Sequence, residues 1–296
     1  MTKTAWIFPG QGSQAVGMGL ELKDISAAKE KLRQAEDILG WSILDLCQTE
    51  EENLSETKYT QPCLYVVESI LADLMRDQGQ SPQLLAGHSL GEYVALYVAG
   101  VFDFEAGLRL VKRRAELMNT AVEGQMVALI KFNREQLEMQ ISQTPDVVIA
   151  NDNSALQVVI SGKPEAIEQV LSEVKTKRAI PLKVSGAFHS PLMAPVAQEY
   201  QECLSSVTFA DAQIPVLSNV DPTPTVSAEV LKARLQQQIT GSVRWREIML
   251  QFSEEGVTKA IEIGPGKVLT GLLKRTCPEI ALENIQDATK LMAVAI

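Results

Sequence analysis

Short apolar runs alternate with stretches of helical periodicity along most of the chain, which is the pattern of an α/β protein. Residues 5–8 (AWIF) form a continuous apolar run ending in Pro9-Gly10-Gln11-Gly12. That predicts a buried strand entering a glycine-rich turn. Thr60 and Pro62 mark a helix start, followed by Leu64, Val67, Ile70, Leu71 and Leu74 at helical spacing. Residues 84–86 predict a second strand, 92–98 an apolar helix ending at Gly100, and 104–122 a further helix.

The pattern changes between residues 125 and 187. "MVALIKF" reads as a strand, "REQLEMQIS" as a helix, and "DVVIAND" and "LQVVISG" as strands. "PEAIEQVLSEVKT" reads as a helix and "AIPLKV" as a last strand. The order βαββαβ predicts a small ferredoxin-like domain. Strands at "PVLSNV" and "TKAIEIG", with helices between, then resume the first pattern. The expected architecture is a large α/β-hydrolase-like domain with a mostly parallel sheet (1–123 and 188–296). The small ferredoxin-like βαββαβ domain (124–187) is inserted in it.

Composition narrows the function classes. The chain has 296 residues, 46% of them apolar and 22% charged, enough for one large core or a large and a small domain. No apolar run reaches the roughly 18–20 residues that span a bilayer, and the N-terminus is too weakly apolar for a signal peptide. A cytoplasmic location with no membrane association is expected. The net charge of −10 argues against nucleic acid as a partner. An acidic partner would need a local cationic patch, and Lys267, Lys274 and Arg275 offer one. Cys47, Cys63, Cys203 and Cys277 show no C-x-x-C spacing and no flanking histidine, so neither metal nor disulfide is expected.

The chemistry centres on "LLAGHSLGEYVAL", residues 84–96, where Gly87-His88-Ser89-Leu90-Gly91 stands between an expected strand and an expected helix. G-x-S-x-G in that setting is a nucleophile elbow. A serine hydroxyl needs a base within hydrogen-bond reach. The chain has two histidines, and His88 adjoins Ser89 with its side chain expected to project away, which leaves His189 as general base and acid. Asp152 is the one acidic residue between Ser89 and His189 at an expected strand end, so no carboxylate partner for the histidine is evident. A carbonyl could hold the imidazole instead. The Leu90 N–H at the helix start, and Gln11 in the glycine-rich turn, are the candidate oxyanion donors.

At this point eight motifs in register carry a family resemblance. "FPGQGSQAVGMG", "TQPCL", "GHSLGEYVAL", "LVKRRAELM", "QVVISG", "GAFHSPLM", "PVLSNV" and "EIGPGKVLTGL" resemble, in this order, motifs of the malonyl-CoA:acyl carrier protein transacylases. The resemblance runs from about residue 5 to 275. It implies Ser89 as the acyl-accepting nucleophile, His189 as its base, and Gln11 and Leu90 as oxyanion-hole donors. Arg114 matches the arginine that grips the malonyl carboxylate, for which a planar guanidinium is suited. Arg113 beside it is the competitor, on a different helix face. Gln238 matches the glutamine whose main-chain carbonyl orients the histidine. Gln61 and Asn153 match polar residues near the pocket. Phe188, in "AFHS", matches the malonyl-selective form and disfavours an α-methyl branch. Two departures stand out: Ala115 where the family has glycine, and Gly241-Ser242 where it has Asn-Pro.

The resemblance implies ping-pong transfer from malonyl-CoA to the phosphopantetheine thiol of holo acyl carrier protein, in fatty acid biosynthesis. Coenzyme A thioester enters as substrate, no cofactor is implied, and the chain is expected to be a monomer. The rival readings are a serine esterase or thioesterase, a catalytically silent carrier-docking subunit, and a trans-acting polyketide acyltransferase.

Overall fold

The run 5–8 is apolar on both faces, and a strand of that kind is stable between two neighbours with helices above and below. The computed structural model, which describes residues 2–121 and 123–292, has that arrangement. The described residues form strands β1 (Thr4–Phe8), β2 (Leu84–Gly87), β3 (Gln125–Phe132), β4 (Val147–Ser154) and β5 (Gln157–Gly162). They continue with β6 (Thr176–Pro181), β7 (Val216–Leu217), β8 (Lys259–Ile263) and β9 (Ala281–Ile285). One sheet has the order β7-β2-β1-β8-β9 and is parallel at every pairing. Numbered along the chain this is 3-2-1-4-5, a doubly wound order, in which sites form beyond the carboxyl ends of the central strands. The hydrolase-like strand–turn–helix unit lies within it, at β2.

Alternate side chains of these strands feed two cores. Trp6, Phe8 and Leu85 pack with the helices Thr57–Asp77, Gly91–Val98 and Phe104–Thr120. Ala5, Ile7, Leu84 and Ala86 pack with Trp245–Glu254 and Val268–Thr276.

The second sheet has the order β4-β5-β3-β6 and is antiparallel at every pairing. Leu137, Ile167 and Val170, from the helices Arg134–Gln143 and Pro164–Glu173, cover one face against Val127, Leu129, Val158 and Ile160. Met126, Ala128 and Val159 point the other way, into the main core. Backbone bonds tie β4 to the loop at residue 243: Asp152 N–H donates to Val243 O at 2.9 Å, and Val243 N–H to Ala150 O at 2.8 Å.

Four boundaries differ from expectation. The helix expected from Thr60 begins at Thr57, so Pro62 lies inside it. Thr60 does not cap the helix, because its hydroxyl donates back to the carbonyls of Leu54 and Glu56. The proline costs one bond in the second turn, and the apolar face buried by this long helix outweighs it. The last strand of the small sheet is Thr176–Pro181, not 179–184. Residues 177–181 are exposed on both faces, so no apolar alternation marked the strand, and pairing with β3 sets its register instead. In "PVLSNV" only Val216–Leu217 is strand. The helix from Phe104 ends at Thr120, and its expected end at Val122 lies outside the described residues. Among the described residues no helix is long and apolar enough to cross a membrane.

Candidate active site

β2 ends at Gly87, and a helix starts at Gly91. So short a turn brings backbone against backbone, which explains both glycines. A Cβ on Gly87 would lie 1.9 Å from the Gly91 carbonyl, and one on Gly91 would lie 2.1 Å from Phe8 O. Ser89, between them, has left-handed backbone with φ 51°, a conformation that costs about 1–3 kcal/mol outside glycine. Asn219 holds it there. Its Oδ1 accepts from Ser89 N–H at 2.7 Å, and its Nδ2 donates to Gly87 O at 2.6 Å.

The Ser89 hydroxyl lies 2.8 Å from His189 Nε2. His189 Nδ1 faces two carbonyls, Gln238 O at 2.9 Å and Gly241 O at 3.1 Å. Two acceptors at Nδ1 assign the proton to that nitrogen and leave Nε2 to accept from the serine. Gln238 is the last residue of the helix Ala228–Gln238, where a carbonyl has no intrahelical donor and is free for the imidazole. The Gly241-Ser242 departure therefore leaves a carbonyl on the histidine. Burial, with Arg114 nearby, lowers the His189 pKa to about 3. The imidazole is thus neutral, with its Nε2 lone pair facing the serine.

Arg114 is fully buried on the helix Phe104–Thr120. Its Nη1 donates to Gln61 Oε1 at 2.7 Å, and its Nη2 donates to Gln238 Oε1 at 3.0 Å and Ser89 Oγ at 3.1 Å. All three acceptors are uncharged groups. Among the described residues no carboxylate forms an ion pair with Arg114, and its Nε has no partner. Arg113 is half-exposed and pairs with Glu199 and Glu116, so Arg114 is the arginine at the nucleophile. A buried guanidinium with no carboxylate in direct contact suits an anionic ligand.

The glycine-rich turn after β1 packs on the elbow: a Cβ on Gly10 would lie 2.4 Å from His88 O and 3.6 Å from Leu90 N. Leu90 immediately precedes the helix, and neither its N–H nor that of Gln11 has an acceptor among the described residues. The Gln11 side chain donates to Thr57 Oγ1 at 3.0 Å. Phe188 is buried next to His189. Asn153 Oδ1 meets His88 Nε2 at 2.9 Å, so it supports the elbow from β4 and does not touch Ser89. His88 also packs edge-on against Trp245. Asp152 is held by Arg134 and Arg246 at 2.8 and 3.1 Å, away from the histidine. No group of three His, Cys, Asp or Glu side chains among the described residues is placed to hold a metal.

Three residues in this network were given no role from the sequence. Asn219 sits just after the two-residue strand β7, and Gly241 contributes only a carbonyl. Glu92 is buried in a helix face that reads as apolar, and its Oε2 accepts from Gln238 Nε2 at 2.8 Å and Asn219 N–H at 3.1 Å. Its spacing of three residues from Ser89, on an otherwise apolar face, was the one hint.

Comparisons with known proteins show the family. Residues 5–293 match the acyl transferase domain family. The chain is 59% identical over 283 residues to the malonyl CoA-acyl carrier protein transacylase of Synechocystis, covering 96% of this chain and 97% of that protein. A Synechocystis malonyl-CoA:ACP transacylase crystal structure superposes with a TM-score of 0.96 at 57% identity, covering 98% of this chain and 99% of that one. A malonyl-transacylase solved in complex with its type II polyketide acyl-carrier protein superposes with a TM-score of 0.92 at 36% identity, covering 99% and 98%. The chain belongs to the acyl transferase domain family, among its malonyl-CoA:acyl carrier protein transacylases.

Proposed function

We propose that the protein moves the malonyl group of malonyl-CoA, by way of a Ser89 ester, to the phosphopantetheine thiol of acyl carrier protein. The observation that carries this reading is Arg114: buried, without a carboxylate partner among the described residues, and 3.1 Å from Ser89 Oγ. A carboxylate held there sits beside the reacting oxygen, and malonyl has a free carboxylate that acetyl lacks.

His189 takes the Ser89 proton on Nε2 as Oγ attacks the thioester carbonyl. The Leu90 and Gln11 N–H groups receive the developing oxyanion. Collapse expels coenzyme A, whose sulfur takes the proton from His189. In the second half the carrier's thiol gives its proton to His189 and attacks the serine ester, and the proton returns to Ser89. The imidazolium formed in each half-reaction keeps its Nδ1 proton on the Gln238 and Gly241 carbonyls. This chemistry needs no cofactor.

Gln61 supports the reading as the second amide on Arg114. Phe188 is read as the residue that disfavours an α-methyl branch, a preference of about 1–3 kcal/mol for malonyl over methylmalonyl. The exposed Lys267, Lys274 and Arg275, around the helix Val268–Thr276, are read as a contact for the acidic carrier. Fatty acid synthesis is the pathway proposed, with a monomer in the cytoplasm.

The division into 1–123 with 188–296 and 124–187 belongs to the same reading. Its support is the small sheet, numbered 4-1-3-2 along the chain with both helices on one face, as a ferredoxin-like unit requires.

The test is Ser89→Ala: the variant should take up no malonyl group from malonyl-CoA and transfer none to holo carrier. Retained labelling would move the nucleophile elsewhere.

A further inference from the structure

We propose that Glu92 is a positioning residue of this site, one buried carboxylate that fixes Ser89, His189 and Arg114 relative to one another. The proposal rests on the malonyl-transfer reading above. Glu92 occupies the first turn of the helix Gly91–Val98 and is 1% exposed. Its Oε2 accepts two hydrogen bonds, and each leads to the chemistry. The first comes from Asn219 N–H at 3.1 Å, and the Asn219 side chain in turn holds Ser89 N–H and Gly87 O. The second comes from Gln238 Nε2 at 2.8 Å. Gln238 gives its main-chain carbonyl to His189 and its Oε1 to Arg114, and its Nε2 also donates to Ser89 O at 2.8 Å.

The polarity of the Gln238 amide is the critical point. A glutamine side chain ends in one donor group and one acceptor, and the two are nearly equal in shape. The Glu92 oxygen facing it accepts, so the NH2 turns to Glu92 and Oε1 turns to Arg114. Reversed, the amide would set its NH2 against the guanidinium, donor to donor. Glu92, together with the Ser89 carbonyl on the same NH2, therefore holds the amide so that Arg114 stays extended towards Ser89, where a malonyl carboxylate is to be received.

The contribution comes from Oε2 as an acceptor and does not need a charge. Oε1 accepts no hydrogen bond among the described residues, and burial pushes the carboxyl upward against its bonds to Gln238 and Asn219, the neighbouring Ser218 hydroxyl and the Arg114 charge. A protonated acid carrying its proton on Oε1, or an amide with its NH2 there, still offers the acceptor. Glutamine at 92 is thus expected to serve, and leucine is not.

The test measures single-turnover acylation of Ser89 by malonyl-CoA and by acetyl-CoA in the full chain. Glu92→Leu is expected to slow malonyl acylation on the order of 10²-fold, as a misplaced reacting group does, and to lower the malonyl-to-acetyl ratio. Glu92→Gln should stay within a few-fold of wild type in both. A merely structural role would lower the melting temperature and leave the ratio unmoved. A folded Glu92→Leu with an unchanged ratio, or a Glu92→Gln as impaired as Glu92→Leu, overturns the proposal. Should Glu92→Leu not fold, Glu92→Asp decides: it keeps the acid but withdraws it by one methylene. A lowered ratio supports the proposal, and an unchanged one overturns it. Wild-type protein that takes no malonyl group overturns the transfer reading and this proposal with it, whereas normal wild-type acylation with unaltered variants overturns this proposal alone.

Discussion

Ser89 and His189, a hundred positions apart, face each other across 2.8 Å, and both hold left-handed backbone, with φ of 51° and 57°. Neither is glycine, so each conformation costs about 1–3 kcal/mol that the surroundings must offset. The surroundings do so with directed bonds: Asn219 on the serine N–H, and two carbonyls on the histidine Nδ1. In the proposed mechanism this pair is placed before any substrate arrives, and the consequences can be measured.

Acid should weaken the fold through His189. Its pKa is about 3 in the folded chain against 6.5 for a free imidazole, through burial and then Arg114. Between these values the unfolded chain binds a proton that the folded chain refuses. Stability from this group is therefore complete above pH 6.5 and is lost as the pH falls towards 3. His88 is shifted the same way by burial. Urea midpoints followed across pH should be flat above 6.5 and fall between 6.5 and about 3. The acylation rate should show no acidic limb near 6.5, and a limb there would mean an exposed imidazole.

Arg114→Ala should reduce kcat/KM for malonyl-CoA far more than for acetyl-CoA. A hydrogen bond to a charged group contributes about 1.5–3 kcal/mol, so the malonyl-to-acetyl ratio should fall by roughly one to two powers of ten. A ratio that stays at the wild-type value would show that the guanidinium does not read the carboxylate.

Two glycines should respond oppositely to an added methyl group. Gly87→Ala forces a Cβ to 1.9 Å from Gly91 backbone, and overpacking of this kind costs about 1–3 kcal/mol or more, with loss of acylation. Gly271→Ala, inside the helix Val268–Thr276, meets nothing within 4 Å and should stabilise by about 0.5–1 kcal/mol through helix propensity. Chemical denaturation of both variants, beside wild type, checks the pair.

Asp152→Asn separates transfer from triad hydrolysis. Its carboxylate bonds Arg134 and Arg246, not the histidine. The substitution should cost stability while leaving Ser89 acylation within a few-fold of wild type. A collapse of the rate on the scale of a lost triad carboxylate, roughly 10⁴-fold, would contradict the carbonyl-held histidine.

Much of this was legible in the chain because local chemistry forced it. Gly87 and Gly91 are demanded by backbone contact, Pro9-Gly10 by a turn lying against the elbow, and β1, β2 and β8 by burial on both faces, whereas the edge strand β9, mostly exposed, was not expected. The small sheet's last strand was displaced because an exposed edge strand has no apolar face to mark it. Pro62 misled because proline usually opens helices, and here a long buried face carries the helix past it. Within the site, Ser89 and His189 announced themselves by residue type and setting, and Arg114 only through the family resemblance. Asn219, Gly241 and Glu92 did not, because their roles depend on groups any residue or many residues possess: a carbonyl, an amide, an acceptor oxygen. Only the fold gives these groups their direction.

The most direct measurement is the intact mass of the protein after incubation with malonyl-CoA, taken with and without holo acyl carrier protein. The expected result is one added malonyl group per chain at Ser89, persistent without the carrier and discharged onto the carrier's thiol when it is supplied. Rapid release of free malonate in the absence of carrier, or no adduct on a chain that still transfers malonyl, would contradict a serine that carries malonate between two thiols.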